Sequence, residues 1–174
     1  MTIDELQIQL DLNPDNQAST LNNADTYRHI DIGYLFVDDE TGQCYLFDKN
    51  GQEDDINKIK NIGHRAFYDC SSLKNILIPD SVESIGDDAF NGCTSLISIL
   101  IPDSVESIGD DAFNGCTSLT SISIPNSVKR IENRAFAFCL SLASIEIPNS
   151  VESIGNWGIF LLRIFNKHFN PRLS

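Results

Sequence analysis

Thiols, imidazoles and carboxylates are the groups in this protein able to do chemistry, and their spacing says which kinds. Five cysteines occur, Cys44, Cys70, Cys93, Cys116 and Cys139, and the last four follow one another at intervals of 23 residues. An odd number argues against a complete disulfide framework. If the four stack at the ~4.8 Å spacing of neighbouring strands, their Cβ atoms point the same way and sit too far apart for a relaxed bridge. They are expected to be buried thiols that act as small apolar residues, with burial suppressing the thiolate. Cys44, outside the series, is expected to be the more reactive. His29, His64 and His168 share no metal-ligand spacing and no Cys-x-x-Cys occurs, so no metal site is expected. There is no Gly-rich phosphate loop, Gly-x-Ser-x-Gly elbow or His-Glu-x-x-His. Without these the sequence reads as non-enzymatic, with no catalytic residue and no cofactor.

The carboxylates are patterned too. Glu83 aligns with Glu106, Asp87 with Asp110, Asp88 with Asp111 and Asp80 with Asp103; between Asn75 and Val128 there are 8 acids and no base. Stacked like charges repel unless screened or bound. Such a patch could hold calcium, which takes roughly 6–8 oxygen ligands, or meet a basic partner; the plain alternative is a solvated face. One interval further on, the matching positions are Lys129, Arg130, Asn133 and Arg134, which would partly neutralise it. Asp48-Lys49-Asn50-Gly51 begins like a calcium loop but lacks the EF-hand register, and reads as a turn.

These residues are set by a repeat. Phe67, Phe90, Phe113 and Phe136 share the 23-residue step, as do Leu73, Leu96, Leu119 and Leu142, and Ile76, Ile99, Ile122 and Ile145. The pairs Ile78-Pro79, Ile101-Pro102, Ile124-Pro125 and Ile147-Pro148 follow it as well, and Ile78–Leu96 is identical to Ile101–Leu119. Such a period is the mark of a stacked array. Each unit reads as two short extended segments. In the first, Leu119, Ile122 and Ile124 face inward and Pro125 ends the strand, having no N–H to donate. Asn126-Ser127 forms the turn that follows. In the second, Val105 and Ile108 face inward, and Ala112 to Cys116 makes a short helical turn back. One unit cannot bury its apolar face, but stacked units can.

The pattern Leu-x-x-Ile-x-Ile-Pro-x-Ser-Val-x-x-Ile-Gly-x-x-Ala-Phe-x-x-Cys-x-x-Leu, spanning roughly Ile59 to Gly155, resembles the BspA-type leucine-rich repeat. The resemblance implies a parallel-sheet superhelical solenoid that binds other molecules. Relatives of this kind are typically surface or secreted proteins of bacteria and some protozoa, implicated in adhesion. It does not cover the flanks. Residues 1–57 are read as an acidic β cap, 58–155 as four to five repeats, and 156–174 as a capping helix and tail.

The net charge is −13, and residues up to Asn57 hold 13 acids against 2 bases. So acidic a protein disfavours nucleic acid and anionic lipid, whose phosphates need Lys and Arg. No apolar run approaches the ~20 residues of a membrane helix. Met1 to Leu12 carry Asp4, Glu5 and Asp11 without a base, unlike a secretory signal. Location therefore stays open between the cell interior, a route needing no such signal, and a start beyond one. Leu6, Ile8, Leu10 and Leu12 alternate as in a half-buried strand, 14–26 reads as a loop, and Asp31–Val37 with Gln43–Phe47 reads as a hairpin covering the first repeat. Trp157, Phe160, Leu161, Ile164, Phe165 and His168 fall at helical spacing, as for a helix laid over the last repeat. An incompletely covered end would permit self-association.

A binding surface is expected on the first-segment face, where side chains are not fixed by packing. Its outward residues are Lys74, Asn75 and Leu77; Ile97, Ser98 and Leu100; Thr120, Ser121 and Ser123; Ala143, Ser144 and Glu146. Leu77, Ile97 and Leu100 would form an apolar patch beside a strip of hydroxyls, the kind of cluster that often marks an interaction site; the alternative is that Leu77 and Leu100 are covered by the N-terminal block or are merely tolerated on a sheet. The competing expectations are an intracellular regulator docking a basic partner through acidic residues, and a calcium-binding surface.

Overall fold

The computed structural model describes residues 27–30, 33–37, 44–47, 53–156 and 163–164. The expected strand over Leu6–Leu12 and loop over 14–26 lie outside them. The first elements form an antiparallel sheet in the order β1 (Tyr27–Ile30), β2 (Gly33–Val37), β3 (Cys44–Phe47), β4 (Glu53–Asp54). The expected hairpin is β2–β3, in register Tyr34 with Phe47 and Val37 with Cys44. The outer strands β1 and β4 were not anticipated. A 3-10 turn follows at Ile56–Lys58, capped by the Asp55 carboxylate on the Asn57 N–H, and Ile56 packs on the repeat core.

From Ile59 the backbone winds as a solenoid. The second segments stack as five parallel two-residue strands: β5 (Asn61–Ile62), β6 (Ser84–Ile85), β8 (Ser107–Ile108), β10 (Arg130–Ile131) and β12 (Ser153–Ile154). Pairing is Ser on Ser and Ile on Ile at the offset of 23, as in Ser84 with Ser107 and Ile85 with Ile108. The first segments give a shorter ladder. Strand β7 (Ser98–Leu100) pairs with β9 (Ser121–Ser123), and Leu77 bridges to Leu100. Strand β11 (Ser144–Ile145) lies beside β9 without ladder pairing to it. Ile122 is half-buried at this break, whereas Ile76, Ile99 and Ile145 are buried.

Between the second segment and the cysteine the expected helical turn is not found. Two residues per repeat hold positive φ: Arg65, Asp88, Asp111 and Arg134 at 52–56°, then Asp69, Gly92, Gly115 and Phe138 at 56–78°. A left-handed residue every fourth position stops a right-handed helix from propagating. Backbone donors instead alternate in direction. Phe90 N–H goes to Ala112 of the next repeat at 2.7 Å and Gly92 N–H to Asn114 at 2.8 Å, while Cys93 N–H turns back to Phe90 at 3.1 Å. The turns are thus a third ladder between repeats.

The second correction concerns the C-terminus. Arg163–Ile164 is a strand, β13, paired in parallel with Ser144–Ile145, where a capping helix was expected; the rest of that segment lies outside the described residues. Strand pairing satisfies the open edge of β11, which a helix could only cover.

The core is made of columns. Phe67, Phe90, Phe113 and Phe136 stack with ring centroids 5.0, 5.2 and 5.4 Å apart and planes within 4° of parallel. All four are fully buried, as are Leu73, Leu96 and Leu119 and Val82, Val105 and Val128. Each buried side chain of this size contributes roughly 1.5–3 kcal/mol by leaving water.

Candidate binding surface

The first-segment face is carried by β7, β9 and the bridge at Leu77, so its side chains are held by a backbone ladder rather than by a loop. Ile97 N–H donates to Lys74 O at 3.1 Å and Thr120 N–H to Ile97 O at 3.0 Å, which locks the rungs in sequence. Every expected outward residue is exposed except Asn75, which is half-buried. The apolar members are bared to an extent unusual for such side chains: Leu77 is 47%, Ile97 48% and Leu100 65% exposed. Leu77 and Leu100 sit on adjacent rungs of one column. Beyond them the same column continues as Ser123, opposite Leu100, and the strip turns to hydroxyls at Thr120 and Ser121. The Thr120 hydroxyl donates back to Ile97 O at 3.2 Å, so it is partly spent on the frame.

A second exposed apolar group was not anticipated. Phe138 and Leu140 in the last cysteine turn are 54% and 68% exposed, and Tyr68 in the first is 44% exposed. The sequence carried the signal in its departures from the columns: Phe138 stands where Gly92 and Gly115 do, Leu140 where Thr94 and Thr117 do, Tyr68 where Asn91 and Asn114 do. The Arg65 guanidinium lies 4.8 Å from the centre of the Tyr68 ring.

The acidic patch is assembled differently from the expectation. Glu83 and Glu106 are exposed, and Glu83 lies 3.9 Å from Lys60. The four aspartates are acceptors within the stack. Asp87 Oδ1 accepts the Asp110 N–H at 2.9 Å, and Asp110 Oδ1 accepts the N–H and the side-chain amide of Asn133 at 2.8 and 2.9 Å. Asn133 Oδ1 extends the series to the Asn156 N–H at 2.9 Å. Asp88 and Asp111 each accept the amide of an asparagine three residues on, at 2.6 Å, and their second oxygens face Arg65 at 3.4 Å and Arg134 at 2.6 Å. Among the described residues no three His, Cys, Asp or Glu side chains converge as metal ligands would.

The cysteine column is buried and unbridged. Cys93, Cys116 and Cys139 each donate S–H to the carbonyl of a phenylalanine one turn earlier, at 3.1–3.2 Å. Burial is the main cause that pushes the Cys139 thiol up to about 12 and raises Cys116 further. For Cys93 a side-chain hydrogen-bond interaction with the neighbouring Cys70 thiol raises it first, with burial second. At neutral pH these groups stay protonated, and their role is to fill and bond the interior. Cys44 is in β3, and its side chain lies outside the described set. No described helix is long and apolar enough to cross a membrane.

A family description, BspA type Leucine rich repeat region, matches residues 49–160 in six copies. No curated protein matches the sequence. Among solved structures, a leucine-rich repeat protein from Bacteroides ovatus is 29% identical over 74% of this chain and 31% of its own, with TM-score 0.45. A leucine rich cell surface protein from Faecalibacterium prausnitzii is 32% identical over 62% of this chain and 36% of its own, with TM-score 0.47. The pneumococcal vaccine antigen PcpA is 22% identical over 78% of this chain and 28% of its own, with TM-score 0.51, a likeness of fold. The protein thus spans about a third of the length of each of these.

Proposed function

The chain belongs to the BspA-type leucine-rich-repeat family, and from that premise we propose that it is a non-enzymatic protein-binding module of the adhesion kind. Its contact surface is the first-segment face, with Leu77, Ile97 and Leu100 as the apolar anchor and Lys74, Asn75, Ser98, Thr120, Ser121, Ser123 and Glu146 as the polar surround. One observation carries this reading: Leu77 and Leu100 lie on adjacent rungs, Ile97 precedes the same strand, and all three are 47–65% exposed. An exposed apolar cluster rimmed by polar residues marks a protein contact.

The test is a double substitution, Ile97→Asp with Leu100→Asp, in capture from host and native-cell extracts at two salt concentrations. Both side chains are exposed, so stability should hold within about 0.5 kcal/mol, a melting-temperature shift of roughly 1–2 °C. A partner retained by the parent and lost by the variant supports the proposal. Equal retention removes it.

A second reading rests on charge. With 13 acids against 2 bases up to Asn57, a basic partner would dock through the acidic block. That binding would weaken steeply with salt and vanish on neutralising Asp38, Asp39, Glu40, Asp54 and Asp55, while surviving the Ile97/Leu100 change.

A further inference from the structure

We propose that Asn91-Gly92 and Asn114-Gly115 are latent modification sites, where spontaneous deamidation is held off by the stacking of the following repeat. The chemistry is internal. The glycine nitrogen attacks the asparagine Cγ, the Cγ–Nδ2 bond breaks, and ammonia leaves with the proton from the glycine amide. Solvent water then opens the resulting five-membered succinimide at one carbonyl or the other, leaving aspartate or isoaspartate. A following glycine favours the attack because it has no Cβ to obstruct the ring.

Both asparagines and both glycines are half-buried, so water is within reach. Geometry is what withholds the reaction. The Gly92 N–H donates to Asn114 O at 2.8 Å and the Gly115 N–H to Ala137 O at 2.9 Å, so each attacking nitrogen is turned toward the next repeat. Each leaving amide is tied down as well, Asn91 Nδ2 to Asp88 Oδ1 and Asn114 Nδ2 to Asp111 Oδ1, both at 2.6 Å. The glycines hold φ of +78° and +73°. Bringing nitrogen to Cγ requires the rung to open first, a local unfolding.

The product would not fit the closed stack. A carboxylate at position 91 would face the Asp88 carboxylate that now accepts the amide. An isoaspartate would add a main-chain atom beside the glycine donor and shift the ladder out of register. The change is irreversible and would mark a repeat that has opened.

Peptide mapping by mass spectrometry, in mildly alkaline buffer with and without urea, tests this on the unaltered protein. Asn50-Gly51 in the urea sample supplies the rate of an unfolded Asn-Gly pair. Asn91 and Asn114 should match it in urea and be at least about tenfold slower in the folded protein, equivalent to an opening cost of about 1.4 kcal/mol. At urea below the transition Asn114 should convert before Asn91, since its donor is held by the turn at Ala137, the last among the described residues. Equal rates in folded and unfolded protein would overturn the proposal. So would amides that survive in urea while Asn50 converts, or Asn91 converting first.

Discussion

Replacing Asp110 separates an aspartate that holds the stack from one kept for a ligand. Its Oδ1 accepts two donors from Asn133, the backbone N–H at 2.8 Å and the side-chain amide at 2.9 Å. Asp110→Ala deletes that acceptor and strands a half-buried N–H. A hydrogen bond to a charged group is worth about 1.5–3 kcal/mol, and partial hydration puts this site at the low end, so the expected loss is about 1.5 kcal/mol. Asp110→Asn keeps an oxygen in the same place. Asn133 shows that an amide oxygen suffices, since its own Oδ1 takes the Asn156 N–H at 2.9 Å. The lost charge assistance is offset by relief among Asp87, Asp88 and Asp111, and the expected change is within about 0.5 kcal/mol. Thermal unfolding reads both variants: for a protein of this size roughly 2–4 °C of melting temperature goes with each kcal/mol. An asparagine variant that falls as far as the alanine variant would refute the assignment, because charge rather than an acceptor would then be what the position supplies.

Three further outcomes are expected. Phe113→Ala should cost at least about 4 kcal/mol, the transfer and cavity loss of a buried ring plus two stacked pairs; Phe67→Ala, with one stacked ring among the described residues, should cost about 1 kcal/mol less, both by denaturant melts. Stability should be flat below the unfolded thiol pKa and fall above it. The folded Cys139 holds its proton up to about 12, so the unfolded state sheds protons first, at about 1.4 kcal/mol per pH unit for this one group; Cys139→Ser should lessen that alkaline slope, and an unchanged slope would contradict it. Phe138→Gly should raise stability by about 0.5–1 kcal/mol, the relief of a side chain at φ 56° less the added backbone entropy of glycine.

The columns were legible in the sequence because their cause is local and periodic. A residue buried in one turn must be matched 23 positions on, so the inward set of Phe, Leu, Ile and Cys followed from spacing alone. The outward set of the first segment followed by subtraction. The Ala-Phe-x-x-Cys turn was misread because its short apolar spacing fits one helical turn equally well; the left-handed residues that decide against a helix include Asp88, Asp111 and Arg134, whose types do not announce positive φ. At the C-terminus, Trp157 to His168 fits helical spacing, yet Leu161-x-x-Ile164 repeats the Leu142-x-x-Ile145 strand signature at an interval of 19 rather than 23. That rung falls outside the 23-residue period. Alignment shows which aspartates occupy equivalent positions and not which donors they serve, such as the Asp110 N–H on Asp87 and the Asn133 N–H on Asp110.

The charges along the stack obey one rule that also bears on the first-segment face. Lys60 lies by Glu83, and Arg65 by Asp88; at the other end Arg134 bonds Asp111. From Lys60 the column runs basic, acidic, acidic, basic and then Glu152, and from Arg65 it runs Arg, Asp, Asp, Arg, with the two acidic turns the identical central repeats. Exposed pairs of this kind add little stability singly. Collectively they give each acidic central repeat a basic neighbour on its outer side, which offsets the repulsion between Glu83 and Glu106 and between Asp88 and Asp111 on adjacent turns. The second-segment and turn sides are therefore occupied in holding register, through ladders, carboxylate acceptors and ion pairs. The first-segment side has no equivalent role for Leu77, Ile97 and Leu100, and its ladder is the one that breaks, between β9 and β11. Sequence change there disturbs the stack least, so selection for a partner can act on that face without loosening the fold.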